Sequence, residues 1–315
     1  MAPADVQSVG HVLAAAYSEV IVRLQGREWL SRYRARTREE LEAQRSFFPS
    51  GCIVAESGGR IAGAIFARKW GSLGWFSALA VHPELQGRGI GKALAEAAIG
   101  ELQRAGCIVV GMETWPNAAD YTAMYIKMGF EPVGMTAVLM SPAERDWPRP
   151  DGCSVHLLDE LPAGLAMQAN QSARDICAKA LAGMDVAVEL ESSRDHPLKG
   201  SVWLVVGGAV AGFALYDLAP DYDDSGGHAD MWFGLVDLTI ARPEHFLAIA
   251  GRVAEEGRKL GCTKLDVEAC TDSPHSYRFL LESGFRAGGQ LLRFVRGSAP
   301  YAATPDVLSF GRWSI

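Results

Sequence analysis

The chain has no cysteine pair at metal-binding or disulfide-framework spacing. Its six cysteines, Cys52, Cys107, Cys153, Cys177, Cys262 and Cys270, are scattered, with no C-x-x-C among them. That scatter argues against a zinc site and against a disulfide framework, and it fits a reducing compartment where each thiol is simply buried; no metal is expected. Long apolar runs are missing as well. Stretches such as Val202-Trp203-Leu204-Val205-Val206 have strand length, far below the roughly 20 residues that cross a bilayer, so no membrane partner is expected. The start, Met1-Ala2-Pro3-Ala4-Asp5, has neither a positive region nor an apolar core, which favours a cytoplasmic location over secretion. Basic charge is not in excess: 30 Lys and Arg stand against 37 Asp and Glu, a net charge of −7. No basic stripe invites nucleic acid.

What charge there is falls unevenly. Residues 1–150 hold 16 Lys and Arg against 15 Asp and Glu, whereas residues 151–315 hold 14 against 22. A near-neutral half suits an anionic ligand and an acidic half a cationic amine nearby, and solvated faces account for the same numbers equally well. With 315 residues, 49% hydrophobic and 21% charged, the chain has core and length enough for two domains.

The most telling residues present are Gln86-Gly87-Arg88-Gly89-Ile90-Gly91. They lie between the strand-like run Trp75 to Val81 and a helix-like run from Lys92 to Arg104. Glycines let successive backbone N–H groups converge, and a helix N-terminus adds a favourable dipole, so a strand–glycine turn–helix makes an anion cradle. The glycine spacing is not that of the dinucleotide fingerprint, and Gly91-Lys92-Ala93 lacks the Gly-Lys-Ser/Thr ending of a P-loop.

The spacing Gln-x-x-Gly-x-Gly after Val81-His82-Pro83-Glu84 closely resembles the pyrophosphate loop of the GNAT superfamily of acetyl-CoA-dependent N-acetyltransferases. The resemblance runs over about residues 51–140. Leu79-Ala80-Val81 is similar to the end of the family's fourth strand, whose splayed backbone holds the thioester, Glu113 lies in what looks like the fifth, and Tyr125 precedes Gly129-Phe130 as the family's Tyr does. The resemblance implies acetyl-CoA as cosubstrate, bound by Leu79, Ala80, Val81, Gln86, Gly87, Arg88, Gly89, Ile90, Gly91 and Lys92, with Asn117 and Tyr125 beside it. Tyr125 is then the expected general acid for the departing thiolate, and Glu113 the leading candidate base ahead of Asp120 and His82. Each has an ordinary alternative: Tyr125 recurs at helical spacing with Tyr121, Met124 and Met128 as a core residue would, and Glu113 is equally an ion-pair partner. Asn117 is one residue off the family's usual Asn and has a second expected role, capping the helix that carries Tyr125.

The chain also repeats itself. Gly106-Cys107 matches Gly261-Cys262, Glu113 matches Glu268, and Gly129-Phe130 matches Gly284-Phe285, all 155 residues apart, while Pro83-Glu84 matches Pro243-Glu244 at 160. The second copy is therefore five residues shorter across the interval that carries the glycine loop, and Leu280 stands where Tyr125 does, with Tyr277 out of register. The expected architecture is α+β: two tandem GNAT-like domains, each a mixed twisted sheet flanked by helices. Residues 1–142 form the domain with the loop, 143–152 a proline-rich linker, and 153–315 a degenerate copy.

Along the chain, Asp5 to Val20 and Arg27 to Arg45 read as helices, and Gly58-Gly59 as a hairpin turn. A strand from Cys107 to Glu113, a helix from about Asn117 and a pair of strands to Met140 follow. No opening strand precedes the first helix. Asp217 to Asp230, with Asp221, Asp223 and Asp224, reads as a polar insertion, and Val307 to Ile315 as a strand on the edge of either sheet. The function expected is acetyl transfer to a small-molecule amine or to a peptide, with a non-catalytic acyl-CoA-sensing module as the alternative.

Overall fold

The computed structural model describes residues 1–194, 196–223, 226–297 and 305–311. Helix α1 (Val6–Leu24) buries Val6, Val9, Val12, Leu13, Ala16 and Val20, a stripe at helical spacing. It runs past Val20 because nothing in Ile21 to Leu24 breaks a helix, and it stops just before Gly26, at φ 107°. The helix expected over Arg27–Arg45 is interrupted: Arg27–Arg32 is a 3-10 turn and α2 spans Arg38–Phe47. Thr37 sets the later start. Its Oγ1 accepts the Glu40 N–H at 3.2 Å while the Glu40 carboxylate accepts the Thr37 N–H at 2.7 Å, a reciprocal cap.

Strands β1 (Cys52–Ser57) and β2 (Arg60–Trp70) form the expected hairpin, with Gly58 and Gly59 at φ 58° and 72°. β3 (Leu73–Val81), α3 (Ile90–Arg104), β4 (Val109–Thr114) and α4 (Ala119–Lys127) follow. Among the described residues no strand precedes α1. Next comes β5 (Glu131–Pro142), one continuous strand where a pair was expected. The second series comprises β6 (Cys153–Leu157), α5 (Ala163–Ala180), α6 (Ala187–Ser193), β7 (Lys199–Val206), β8 (Ala209–Asp223), β9 (Gly226–Asp237), α7 (Phe246–Lys259), β10 (Cys262–Cys270), α8 (Pro274–Glu282), β11 (Arg286–Gly297) and β12 (Val307–Gly311). The segment Asp217 to Asp230 is thus the tip of the β8–β9 hairpin, and Asp224 lies outside the described residues.

Two compact units result, and they do not follow chain order. The first is Met1–Pro132 with the end of β11 from Leu292; the second is Val133–Leu291 with β12. Division at 142 and 153 therefore separates neither unit, because the last strand of each repeat is exchanged. β11 pairs antiparallel with β4, Arg293 facing Glu113, and β5 pairs antiparallel with β10, Val138 facing Glu268. Both partners differ by the 155 positions of the sequence repeat, so the two ladders are the same pairing made twice. The expected linker is packed rather than loose: Arg258 and the Trp147 indole both donate to the Ala143 carbonyl, at 3.0 and 3.1 Å, and Trp147 packs on Phe285.

In the first unit the sheet is covered on both faces. On one, α1 and Leu41 of α2 cover Ala64, Phe66, Ala78 and Ala80; on the other, Leu94, Ala95, Ala98, Ile99 and Leu102 of α3 pack with Ile65, Phe76, Val110, Met112 and Phe294. The second unit has the order β5-β10-β9-β8-β7-β6, with α7 laying Phe246, Ile249, Ala250 and Val253 on its core. Among the described residues β12 has one strand partner, β9. It pairs with the second half of β9, from Val307↔Asp237 to Gly311↔Phe233, whereas β10 pairs with the first half, up to Val267↔Met231.

Candidate active site

The site begins where β3 ends. After Val81, His82 leads into a 3-10 turn, Pro83–Leu85, and the chain then passes Gly87 and Gly89 at φ 72° and 80° before α3 opens at Ile90. Both glycines hold the left-handed conformation that a side chain disfavours, and a Cβ on either would meet nothing within 4 Å. The loop needs glycine for its path, and its surroundings are open. Gly89 is the N-cap residue of α3 and supplies no side-chain cap, so the first-turn N–H groups remain available to an anion. The flanking side chains are otherwise engaged. Gln86 Nε2 donates to the Val81 carbonyl at 3.2 Å, tying the loop to the strand; Arg88 donates to the Glu84 carbonyl at 3.3 Å; exposed Lys92 lies 3.5 Å from Glu96.

Beside the loop the sheet forks. β3 and β4 pair in parallel only at Leu73↔Val109, Gly74↔Val110 and Trp75↔Gly111. Beyond that, Ala78 takes φ 51°, and the β2 register slips between Ala64 and Phe66, a bulge that bends β3 away. The backbone of Leu79, Ala80 and Val81 therefore runs past the fork with no strand partner on the β4 side among the described residues.

Tyr125 lies under this fork. Its ring packs within 6.0 Å of Phe76 and Phe130 and 6.4 Å of Phe294. Burial, with Tyr17 and Tyr121 near by, pushes its phenol well above the ordinary value near 10, so it stays a proton donor. Around it are further aromatic residues; the resemblance implies that the early helices, around Tyr17 to Tyr33, hold acceptor specificity, and Trp115 carries no such expectation. Tyr17 stacks on Tyr33 at 6.0 Å and meets Trp115 edge-on at 6.2 Å, while the Arg23 guanidinium lies 5.2 Å over the Tyr121 ring. All four rings are half-buried. The only sequence signals for them were the early helices carrying Tyr17 and Tyr33 and the one-turn spacing of Tyr121 and Tyr125.

The other expected residues are placed differently. Glu113 is not open to solvent: its carboxylate accepts the Arg293 Nε–H at 3.0 Å, with the two side chains 0% and 2% exposed. Asn117 does not cap α4. Its Nδ2 donates to the Leu24 carbonyl at 3.0 Å at the end of α1, and the N-cap position of α4 is Ala118. Asp120 is exposed and bonded to Arg23 at 3.0 Å; His82 Nδ1 is 4.0 Å from Glu84. No group of three or more potential metal ligands occurs among the described residues.

The matching places in the second unit are occupied by the chain itself. There the fork between β9 and β10 receives β12, whose Ser309 N–H donates to Ser276 Oγ at 3.0 Å and whose Val307 carbonyl is 3.1 Å from His275 Nε2. The turn after β9 is closed by Asp237, whose carboxylate accepts the Thr239 N–H at 3.1 Å, the Thr239 hydroxyl at 2.7 Å and the Lys179 ammonium at 2.6 Å. Burial works against that charge, and the hydrogen bonds of Lys179 and Thr239 outweigh it, holding the carboxyl below its ordinary value.

Residues 19–130 match the acetyltransferase (GNAT) family. Among solved structures, a candidate acetyltransferase from Pyrococcus horikoshii aligns over 100% of this chain and 93% of its own, at 16% identity and TM-score 0.67. A GCN5-related N-acetyltransferase from Sphaerobacter thermophilus aligns over 96% of each chain at 16% identity and TM-score 0.60. A tandem GNAT protein from the clavulanic acid biosynthesis pathway covers 95% of this chain and 98% of its own, at 17% identity and TM-score 0.57. At these identities the likeness is one of fold. No curated protein matches the sequence.

Proposed function

From the match of residues 19–130 to the GNAT acetyltransferase family, we propose that the chain's first unit transfers an acetyl group from acetyl-CoA to a primary amine. One observation carries the reading: an open, left-handed glycine loop at an uncapped helix start adjoins a sheet fork above a buried, protonated phenol. The roles follow from the chemistry. Backbone N–H groups of Gly87 to Gly91 hold the pyrophosphate, and the free backbone edge of Leu79–Val81 aligns the thioester arm. The amine nitrogen bonds to the thioester carbon, the C–S bond breaks, and the Tyr125 hydroxyl protonates the leaving sulfur before recovering its proton from solvent. An alkyl amine is mostly protonated at neutral pH; it gives one proton to water before attack and a second as the tetrahedral adduct collapses to the amide, since Glu113 is closed off against Arg293. Tyr17, Tyr33 and Trp115 offer half-buried ring surface to the incoming cation, while Arg23 already lies over the Tyr121 ring.

Calorimetric titration of acetyl-CoA tests this. The expected result is one molecule per chain, because the second unit's fork and turn are filled by β12 and Asp237. Gly89→Asp, which sets a carboxylate against the pyrophosphate site, is expected to abolish binding. Two molecules per chain, or unchanged affinity in the variant, would overturn the assignment. Thiol release dependent on added amine then separates an acetyltransferase from a module that only binds the cofactor.

A further inference from the structure

Arg293 belongs to the second repeat by sequence and to the first unit by structure. It enters on β11, opposite Glu113 of β4. Its Nε–H is donated to the Glu113 carboxylate at 3.0 Å, and its guanidinium carbon lies 5.4 Å from the centre of the Trp75 ring. Trp75 is the last residue of β3 that pairs with β4 before the strands part, and its ring lies across Gly111, where any Cβ would overlap it. The three side chains thus form one buried stack at the root of the fork. In the other exchanged ladder the residue opposite Glu268 is Val138, so an apolar residue stands there where Arg293 stands in the unit with the glycine loop.

We propose that Arg293 is a positioning residue for the first unit's acyl transfer. By clamping Glu113 and Trp75 together where β3 and β4 separate, it fixes the width of the fork and with it the placement of the thioester carbonyl. The inference rests on the acyl-transfer reading above. A guanidinium can bond a carboxylate in its plane and stack on an indole with its face at the same time, which an ammonium cannot. The second repeat then contributes a working part of the first unit's site although its own counterpart places are filled.

The test uses the full chain, acetyl-CoA labelled with 13C at the thioester carbonyl, and four proteins: wild type, Arg293→Lys, Arg293→Gln and the double variant Glu113→Gln/Arg293→Gln. The glycine loop is intact in all, so acetyl-CoA affinity is expected to hold. Arg293→Gln is expected to lower kcat by roughly 10- to 100-fold, the scale of a misplaced reacting group, and to move or broaden the carbonyl resonance. Arg293→Lys is expected to recover part of the rate. The double variant, which leaves no unpaired buried charge, is expected to regain the melting temperature and not kcat. Should Arg293→Gln fail to fold, the Lys and double variants carry the comparison. Wild-type kcat and resonance in Arg293→Gln, or recovery of both kcat and melting temperature in the double variant, would reduce the clamp to a fold-stabilising pair and overturn the inference. Loss of the inference alone leaves wild type binding acetyl-CoA; a wild type that binds none overturns the acyl-transfer reading and this one with it.

Discussion

Tyr125 ties the chemistry proposed for it to its packing. Its ring fills the space between Phe76, Phe130 and Phe294, and that burial keeps the hydroxyl protonated. Tyr125→Phe retains the ring, so acetyl-CoA affinity is expected to stay and kcat to fall by about 10²–10⁴-fold, the range for a positioned acid; stopped-flow and steady-state rates on the same preparation check both. The same burial acts on stability. Tyr125 is raised well above an ordinary phenol, and burial, with Glu256 near by, pushes Tyr216 up to about 12. Above about pH 10 the unfolded chain gives up protons that the native chain keeps, so stability is expected to fall as pH rises from there and to be unaffected by these groups below it. Urea midpoints at pH 8.5 and 10.5 give the sign. The burial of Tyr125 was legible in the sequence because its helical spacing with Tyr121, Met124 and Met128 is local. The fate of Asn117 was not: its partner, the Leu24 carbonyl, is 93 positions away, and no local rule predicts where a spare amide finds an acceptor.

At the scale of elements, the fork is made by a short list of local choices. Gly111 admits the Trp75 ring, and the bulge at Ala78 turns β3 aside. Gly111→Ala forces that ring out of a buried stack, and overpacking of this kind costs about 1–3 kcal/mol. A lower melting temperature is expected, with a larger proportional loss of kcat, read by calorimetry and by rates well below the transition. The glycine loop and the Gly58-Gly59 hairpin were readable because their conformations are encoded in the residues that adopt them. The pairing of β5 and β11 was not. Each is a strand of similar pattern that satisfies either sheet, and hydrophobic alternation specifies which face is buried, not which neighbour is joined. The same holds for β12, whose composition announced a strand while its place between halves of β9 and β10 depended on a gap formed by distant residues.

For the whole molecule, the exchange means that the repeats are units of sequence and not of folding. Separate chains ending or starting in the segment 143–152 would each lack a strand: the first unit would lose β11 and Arg293, and the second would lose β5. Neither half alone is expected to show a cooperative melt, whereas the two mixed together are expected to reassemble and regain acetyl-CoA binding; circular dichroism and calorimetry on halves and mixture decide it. A stable, binding-competent 1–142 fragment would contradict this. The exchange also sets a timetable. A nascent chain reaches Pro132 with its first sheet still missing the strand that ends at Gly297, and at ordinary rates of synthesis the wait is roughly ten to thirty seconds. During that interval the outer edge of β4 is an unpaired template for another strand, its own β5 included. A slow ribosome or a pause in the second repeat would lengthen the exposure, making the quality of the product depend on how fast its later half is translated.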